Sequence, residues 1–486
     1  MLIEERIYQY SKDCPNKTAI ISGEVSISYK MLWENIVRAA SFLKNEIKLQ
    51  SGDRIVISAN KNIAFIYTYF GAHLNRNICV PIDSEVNPLR LQRIIDSSQP
   101  SCFIGEMHNC TDKIISFSEI INYQTTESVS FQEENSIADI LFTTGTTGLP
   151  KGVQLTHKNL NAAVDNINQF IGNTSDDVEL LALPVSHSFG LGRLRCVLSM
   201  GGTLALLGSF AAVKKFFGEI ERCNVTGFGM VPASWAYLKK ISGSRIGNYV
   251  SQLKYIEIGS AFMPLDDKIL LSELLPQTRI CMHYGLTEAS RSAFLEFHAE
   301  KDYLQSIGKA VANTDIAIVD EAGKKLSAGQ EGEICVKGSH VCSAYWGEDN
   351  QTFSNDFFDG YFRTGDWGYR DSSGYLYLKS RKKEMINVGG KKVSPIEVEE
   401  VLNQIDAIKE SACVGVSDSV LGEVVKAFII CENGEISNET ILAFLQTKLE
   451  NYKIPTVIER IPEIPKTESG KIQRLLLTQS STFPKI

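Results

Sequence analysis

Apolar positions in the first 135 residues alternate between two periods. Leu32, Ile36, Ala39, Ala40 and Leu43 recur at helical spacing behind Ser28-Tyr29, which predicts an amphipathic helix. The turn Ser51-Gly52-Asp53-Arg54 then leads into the apolar run Ile55–Ser58, read as a strand. A second helix is expected from about Asn62 to Leu74, a strand over Ile78–Ile82, and a third helix from Asn87-Pro88 to near Ser98. Repeated strand–helix alternation predicts a parallel sheet with helices on its faces. The same alternation predicts strands at Ile137–Phe142, Val153–Leu155, Leu180–Pro184, Val225–Met230 and Tyr255–Ile258, and helices over 158–170 and Pro232–Ile241.

The pattern changes further on. Residues 305–378 carry strand-like runs such as Ile316–Val319 and Gly332–Val336 among spaced glycines, which predicts a β-rich subdomain. A basic cluster over 380–393 interrupts the composition and suggests a linker. Residues 394–486 then read as a small α+β domain. The expected fold is α/β: a large N-terminal domain of layered α/β sheets plus the β-rich subdomain (1–380), then a small C-terminal domain (381–486).

Composition narrows the function classes. The net charge of -8 excludes the basic excess of a nucleic-acid binder. Eleven cysteines without a Cys-x-x-Cys pair argue for reduced core thiols rather than a disulfide framework. The seven histidines show no metal-ligand spacing. The start Met1-Leu2-Ile3-Glu4-Glu5-Arg6 does not look like a signal peptide, and no run is long and apolar enough to span a bilayer. The expectation is a cytoplasmic monomer or homodimer.

The strand Ile137–Phe142 leads into Thr143-Thr144-Gly145-Thr146-Thr147-Gly148-Leu149-Pro150-Lys151-Gly152. Glycines let the backbone turn tightly, and the amides, hydroxyls and one ammonium suit a polyphosphate. This is not the common NTPase loop, because Pro150 precedes the lysine and Gly152 follows it. It resembles the phosphate loop of the adenylate-forming enzymes: acyl-CoA synthetases, adenylation domains of peptide synthetases, and luciferases. The resemblance extends in order and spacing over nearly the whole chain. His283-Tyr284-Gly285-Leu286-Thr287-Glu288 is similar to the family's Tyr-Gly-x-Thr-Glu, Gly365-Asp366 to its Thr-Gly-Asp, and Pro465 to Ile472 to its Pro-x-Thr-x-x-Gly-Lys-Ile.

The resemblance implies roles. Thr143, Thr144, Gly145, Thr146, Thr147, Gly148 and Lys151 would hold the ATP phosphates. Gly259, Ser260, Ala261, His283, Tyr284 and Gly285 would contact the adenine side. Asp366 would accept from the ribose hydroxyls, and Arg381 would touch ribose or phosphate. Thr287 and Glu288 would serve catalysis, Glu288 as a Mg²⁺ ligand. Lys471 would be the adenylating lysine. His187, in Pro184-Val185-Ser186-His187-Ser188-Phe189-Gly190, would line the acyl pocket, and the segment disfavours an α-amino acid. Lys383 would be the hinge of a mobile small domain, and Gly389 and Gly390 a wall of the thiol tunnel. Arg193 and Arg195 could bind a second substrate acid group, with at least one expected on a solvated helix face. The implied reaction converts a small carboxylic acid and ATP to an acyl-adenylate and pyrophosphate, then to a thioester and AMP. The acceptor is coenzyme A or, alternatively, the phosphopantetheine of an acyl carrier protein served by a stand-alone adenylating enzyme.

Overall fold

The computed structural model describes the chain except residues 108–109, 111–113, 126–129, 145–149, 348–355, 432–435, 467–470 and 480–486. The predicted elements form for local reasons that the sequence carries. Ser28 caps the helix Tyr29–Asn45 through the amide of Met31, and Leu32, Ile36, Ala39, Ala40 and Leu43 are all buried. Asn62 and Asn87 likewise cap Ile63–Leu74 and Pro88–Ser98. Thr156 caps His157–Ile171, and Ser394 caps Pro395–Leu402. Ahead of the first predicted element stand a helix, Ile3–Asp13, and a pair of strands, Thr18–Ser22 and Val25–Ser28. The strand expected to run to Pro184 is Val178–Leu181.

The chain forms two compact units, Met1–Asp315 with Val336–Phe362, and Ile316–Cys335 with Arg363–Ile486. The β-rich segment contributes to both. The first unit holds two sheets. In the nine-stranded sheet, Thr203–Leu206, Val178–Leu181, Gly227–Met230, Tyr255–Ile258 and Arg279–Tyr284 are parallel neighbours. In the seven-stranded sheet, Ile78–Ile82 pairs in parallel with Arg54–Ser58 and with Ile137–Thr144. Ile137–Thr144 in turn pairs antiparallel with Pro150–Thr156. In the second unit, the strands Ile408–Asp418 and Gly422–Cys431 pair antiparallel, and Val398, Leu402, Ile441 and Leu445 are buried in their core. Among the described residues no helix is long and apolar enough to cross a membrane.

Arg193 and Arg195 correct the expectation of a solvated helix face. Both lie on the helix Ser188–Ser199 and are buried. Arg193 reaches the nine-stranded sheet. Its Nε donates to Glu179 Oε1 at 2.9 Å, Nη1 lies 3.2 Å from Glu257 Oε2, and Tyr255 donates to Glu179 at 2.6 Å. Arg195 reaches the seven-stranded sheet, pairing with Asp139 and donating to Tyr69 Oη at 2.9 Å. Asp139 also faces His73 Nε2 at 3.0 Å, and His73 Nδ1 lies 2.7 Å from Glu4 on the first helix. A guanidinium taken out of water must meet charge and hydrogen bonds, and these partners supply both. Neither arginine is therefore left over to bind a second acid group on a substrate.

Eight of the described cysteines are buried. Burial pushes the thiols of Cys102, Cys196, Cys281 and Cys335 up to about 12.

Two outcomes are expected. Arg193→Met leaves the buried Glu179 carboxylate without its counter-charge and lowers the unfolding free energy by about 3–5 kcal/mol, read from urea midpoints. His73 provides a pH dependence. Burial opposes its charged form, but Cys79 and the bonded Asp139 and Glu4 outweigh it and hold its pKa well above the ordinary value. A raised folded pKa gives stability that is complete below about pH 6.5 and is lost as pH climbs through the folded value. Unfolding midpoints should therefore fall above pH 7, at up to about 1.4 kcal/mol per pH unit, and His73→Gln should flatten that slope.

Candidate active site

The hairpin Ile137–Thr144 and Pro150–Thr156 carries the predicted phosphate loop. Its register opposes Thr143 to Lys151 and Thr144 to Pro150. Gly145, Thr146, Thr147 and Gly148 themselves lie outside the described residues. Asp139, held by Arg195 and His73, sits on the strand that delivers this turn.

Lys151 and Glu288 come from distant segments and meet on one side chain, Tyr345. The Lys151 Nζ lies 4.4 Å from the centre of the Tyr345 ring, a cation–π distance. The Tyr345 hydroxyl donates to Glu288 Oε1 at 3.0 Å. Tyr345 reaches this place because the short strand Ala344–Tyr345 pairs with Pro150–Thr156, Tyr345 opposite Val153. The amide of Cys342 donates to the Glu288 carbonyl at 2.7 Å and fixes the backbone behind the carboxylate. Tyr345 belongs to none of the sequence motifs; the only available signal was an aromatic residue after a glycine-rich strand.

The segments expected on the adenine side are built on adjacent parallel strands. Ile258 pairs with Met282, so the turn at Gly259 and the segment from His283 emerge at the same sheet end. Gly259 is required there: a Cβ would come within 2.1 Å of the His283 ring. Ser260 adopts φ 72°, a left-handed backbone uncommon for serine and frequent at functional turns. His283 Nδ1 lies 2.7 Å from Glu257 Oε1. Burial, reinforced by Arg291 and Arg193 nearby, outweighs that carboxylate and lowers the His283 pKa, which leaves the ring neutral. Tyr284 is buried, while Gly285, Thr287 and Glu288 are half-buried. His187 stands at the N-cap of Ser188–Ser199. Arg291 clamps this helix start, with Nη1 donating to Ser188 O at 3.1 Å, Nη2 to Phe189 O at 3.0 Å, and Nε to Glu257 at 3.1 Å. A cavity beside Thr287, Ser290 and Arg291 has a volume of about 20 Å³, the room of about one water.

The second unit carries the remaining predicted residues. Asp366 and Arg381 face each other in the hairpin Tyr361–Arg370 and Leu376–Arg381. Arg381 Nε lies 2.9 Å from Asp366 Oδ1, and its Nη1 donates to Thr364 O at 2.9 Å. Lys383 is exposed. Gly389 and Gly390 have φ of 58° and 83° and join Ile386–Val388 to Lys391–Val393 in a two-residue hairpin. Both central residues at positive φ make this the turn that glycine pairs favour, so the backbone alone requires them. Lys471 is exposed, next to Ile472, which bridges Lys466 across 467–470.

The structure also gathers histidines that the sequence spacing kept apart. Glu4, His73 and His157 lie close enough to hold a metal, as do His73, Cys79 and Asp139. Both His73 nitrogens already face carboxylates, and the charges of Glu4 and Asp139 are met by His73 and Arg195. That cluster is balanced without a cation. Glu288 differs: one oxygen is half-buried against Tyr345 while the carboxylate keeps a second hard oxygen, the donor type Mg²⁺ selects.

A hairpin loop closed by Lys151, a Tyr-Gly-Leu-Thr-Glu turn at a parallel sheet end, and a separate unit carrying Asp366 and Lys471 define an adenylate-forming enzyme. The chain belongs to the AMP-binding enzyme family, which matches residues 8–346, and the family's C-terminal domain matches residues 397–471. A long-chain-fatty-acid–CoA ligase of Bacillus subtilis is 34% identical over 76% of this chain and 67% of its own length. Among solved structures, ATP-bound MatB from Rhodopseudomonas palustris superposes with a TM-score of 0.91 at 25% identity, covering 99% of both chains. The o-succinylbenzoate CoA synthetase of Bacillus subtilis in complex with its acyl-adenylate gives 0.88 at 25%, covering 97% of both.

Proposed function

We infer that this chain is an AMP-forming acid–thiol ligase. It activates a carboxylic acid with ATP to an acyl-adenylate, releases pyrophosphate, and transfers the acyl group to the thiol of coenzyme A. Relatives named as CoA ligases, and one captured with an acyl-adenylate, support the two-step reaction. The observation that carries it furthest is the meeting of Lys151 and Glu288 on Tyr345. It gathers a cation for phosphate and a carboxylate for a metal at the base of one loop.

The residues divide the work as follows. Amides and hydroxyls of 143–148 and the Lys151 ammonium cradle the β- and γ-phosphates. Glu288 would hold Mg²⁺, which would supply charge neutralisation on the triphosphate. Tyr284 offers its ring to adenine, flanked by the Gly259, Ser260 and Ala261 turn, His283 and Gly285. Asp366 accepts from the ribose, with Arg381 fixing its orientation. Thr287 donates to the α-phosphate. Lys471 places positive charge on the attacking carboxylate and the α-phosphate. His187 lines the acyl side. For the thiol step the small domain turns about Lys383, and the Gly389–Gly390 turn borders the pantetheine. A carrier-protein phosphopantetheine is the competing acceptor.

A pyrophosphate-release screen over short, medium, aromatic and hydroxy acids, with CoA or a carrier protein, tests the reading; no AMP with any acid would overturn it. Lys471→Ala should abolish ATP–pyrophosphate exchange while ATP still binds, and unchanged exchange would refute its role. Lys383→Pro should spare exchange and block thioester formation; survival of both half-reactions would remove the hinge.

A further inference from the structure

Inside the C-terminal unit, a line of contacts runs from the nucleotide-side hairpin to the backbone beside Lys471. Arg381 holds Asp366, and its carbonyl accepts from the amides of Glu384 at 2.9 Å and Met385 at 3.1 Å, closing a turn. Glu384 Oε2 from that turn lies 3.4 Å from Nε of Arg474. Arg474 Nη2 donates to Glu399 Oε2 at 2.9 Å. The other Glu399 oxygen accepts from the amide of Cys413 at 2.6 Å, so the helix Pro395–Leu402 and the strand Ile408–Asp418 hold that carboxylate in place.

Arg474 stands three residues beyond Lys471. Its side chain is 11% exposed, and that of Glu399 is 9%. The backbone beside it is tied as well: Gln473 N donates to Pro465 O at 2.8 Å, Ile472 bridges Lys466, and Lys466 pairs with Glu410. Both ends of the 466–472 segment are thus anchored at one place. Arg474 adds side-chain ties in two directions, to the turn just after Lys383 and to the helix. The planar guanidinium meets two carboxylates at once, Glu399 by a hydrogen bond from Nη2 and Glu384 by an ion pair at Nε, an arrangement of fixed geometry that an ammonium does not reproduce. A buried pair of this kind is weak as a source of stability and better suited to fixing geometry.

We propose that Arg474 is a positioning residue for adenylation: it locks the base of the segment carrying Lys471 to Glu399 and to Glu384, so that the lysine ammonium is delivered to one place. This rests on the reading of Lys471 as the adenylating lysine.

The test measures the two half-reactions separately, using the acid that responds best in the screen above. One is ATP–pyrophosphate exchange. The other is thioester formation from CoA and a separately prepared acyl-adenylate, which needs no adenylating lysine. Misplacing a catalytic group by an ångström can cost about 100-fold, so Arg474→Ala should lower exchange by roughly that factor. Thioester formation should stay near the parent rate. Arg474→Lys should recover only part of the loss, because it restores charge without the fork. Glu384→Gln removes the more exposed end of the line and should lower exchange by a smaller factor, again sparing the thiol step. If Arg474→Ala does not fold, Glu384→Gln decides. An equal fall in both half-reactions, or exchange at the parent rate, overturns the proposal. Lys471→Ala is the reference: parent exchange in that variant removes the underlying reading. An inactive Lys471→Ala beside unimpaired Arg474→Ala and Glu384→Gln removes this inference alone.

Discussion

One helix carries two inward guanidinium groups, and the first unit is arranged around what they meet. Arg193 of Ser188–Ser199 closes on Glu179 and Glu257 in the nine-stranded sheet, and Arg195 closes on Asp139 in the seven-stranded one. Burying these charges has a cost, and only complete pairing offsets it. The pairing therefore dictates register. Glu257 is two residues before the Gly259 turn, and Asp139 lies on the strand that opens the phosphate hairpin. The strands that lead into the Gly259 turn and into the 143–152 hairpin are both tied to the helix Ser188–Ser199.

Arg193, Arg195 and Arg291 are consumed by structure. Lys151 and Glu288 are gathered by a neutral aromatic, Tyr345, that can face a cation with its ring and a carboxylate with its hydroxyl. A phenol in this role adds no third charge beside the ammonium and the carboxylate. In the second unit, Arg381 holds Asp366 with Nε at 2.9 Å.

Much of this was legible in the sequence, for stated reasons. Helices with a buried stripe and a polar cap, such as Tyr29–Asn45 behind Ser28, follow from periodicity and local hydrogen bonding. The motif residues could be given expected roles because their spacing matched the family's pattern. The buried ion network was not. Arginine on a helix reads as a surface residue, and no local rule says otherwise. A glutamate in the middle of Tyr255–Ile258, and another within Val178–Leu181, were the available hints, since a buried charge on a strand demands a partner. Tyr345 escaped for another reason: its role comes from pairing with a strand far away in the chain. Gly389 and Gly390 show the converse, because a feature read as functional also has a complete local explanation in its backbone angles.

The distribution of thiols has a practical side. Cys102, Cys196, Cys281 and Cys335 are buried and raised to about 12, so scarcely any thiolate forms on them at neutral pH. Cys14, by contrast, is exposed at the end of the first helix. Maleimide chemistry on the native fold should find that position first. A spectroscopic probe can thus be attached to the larger unit without stripping the interior of its sulfur.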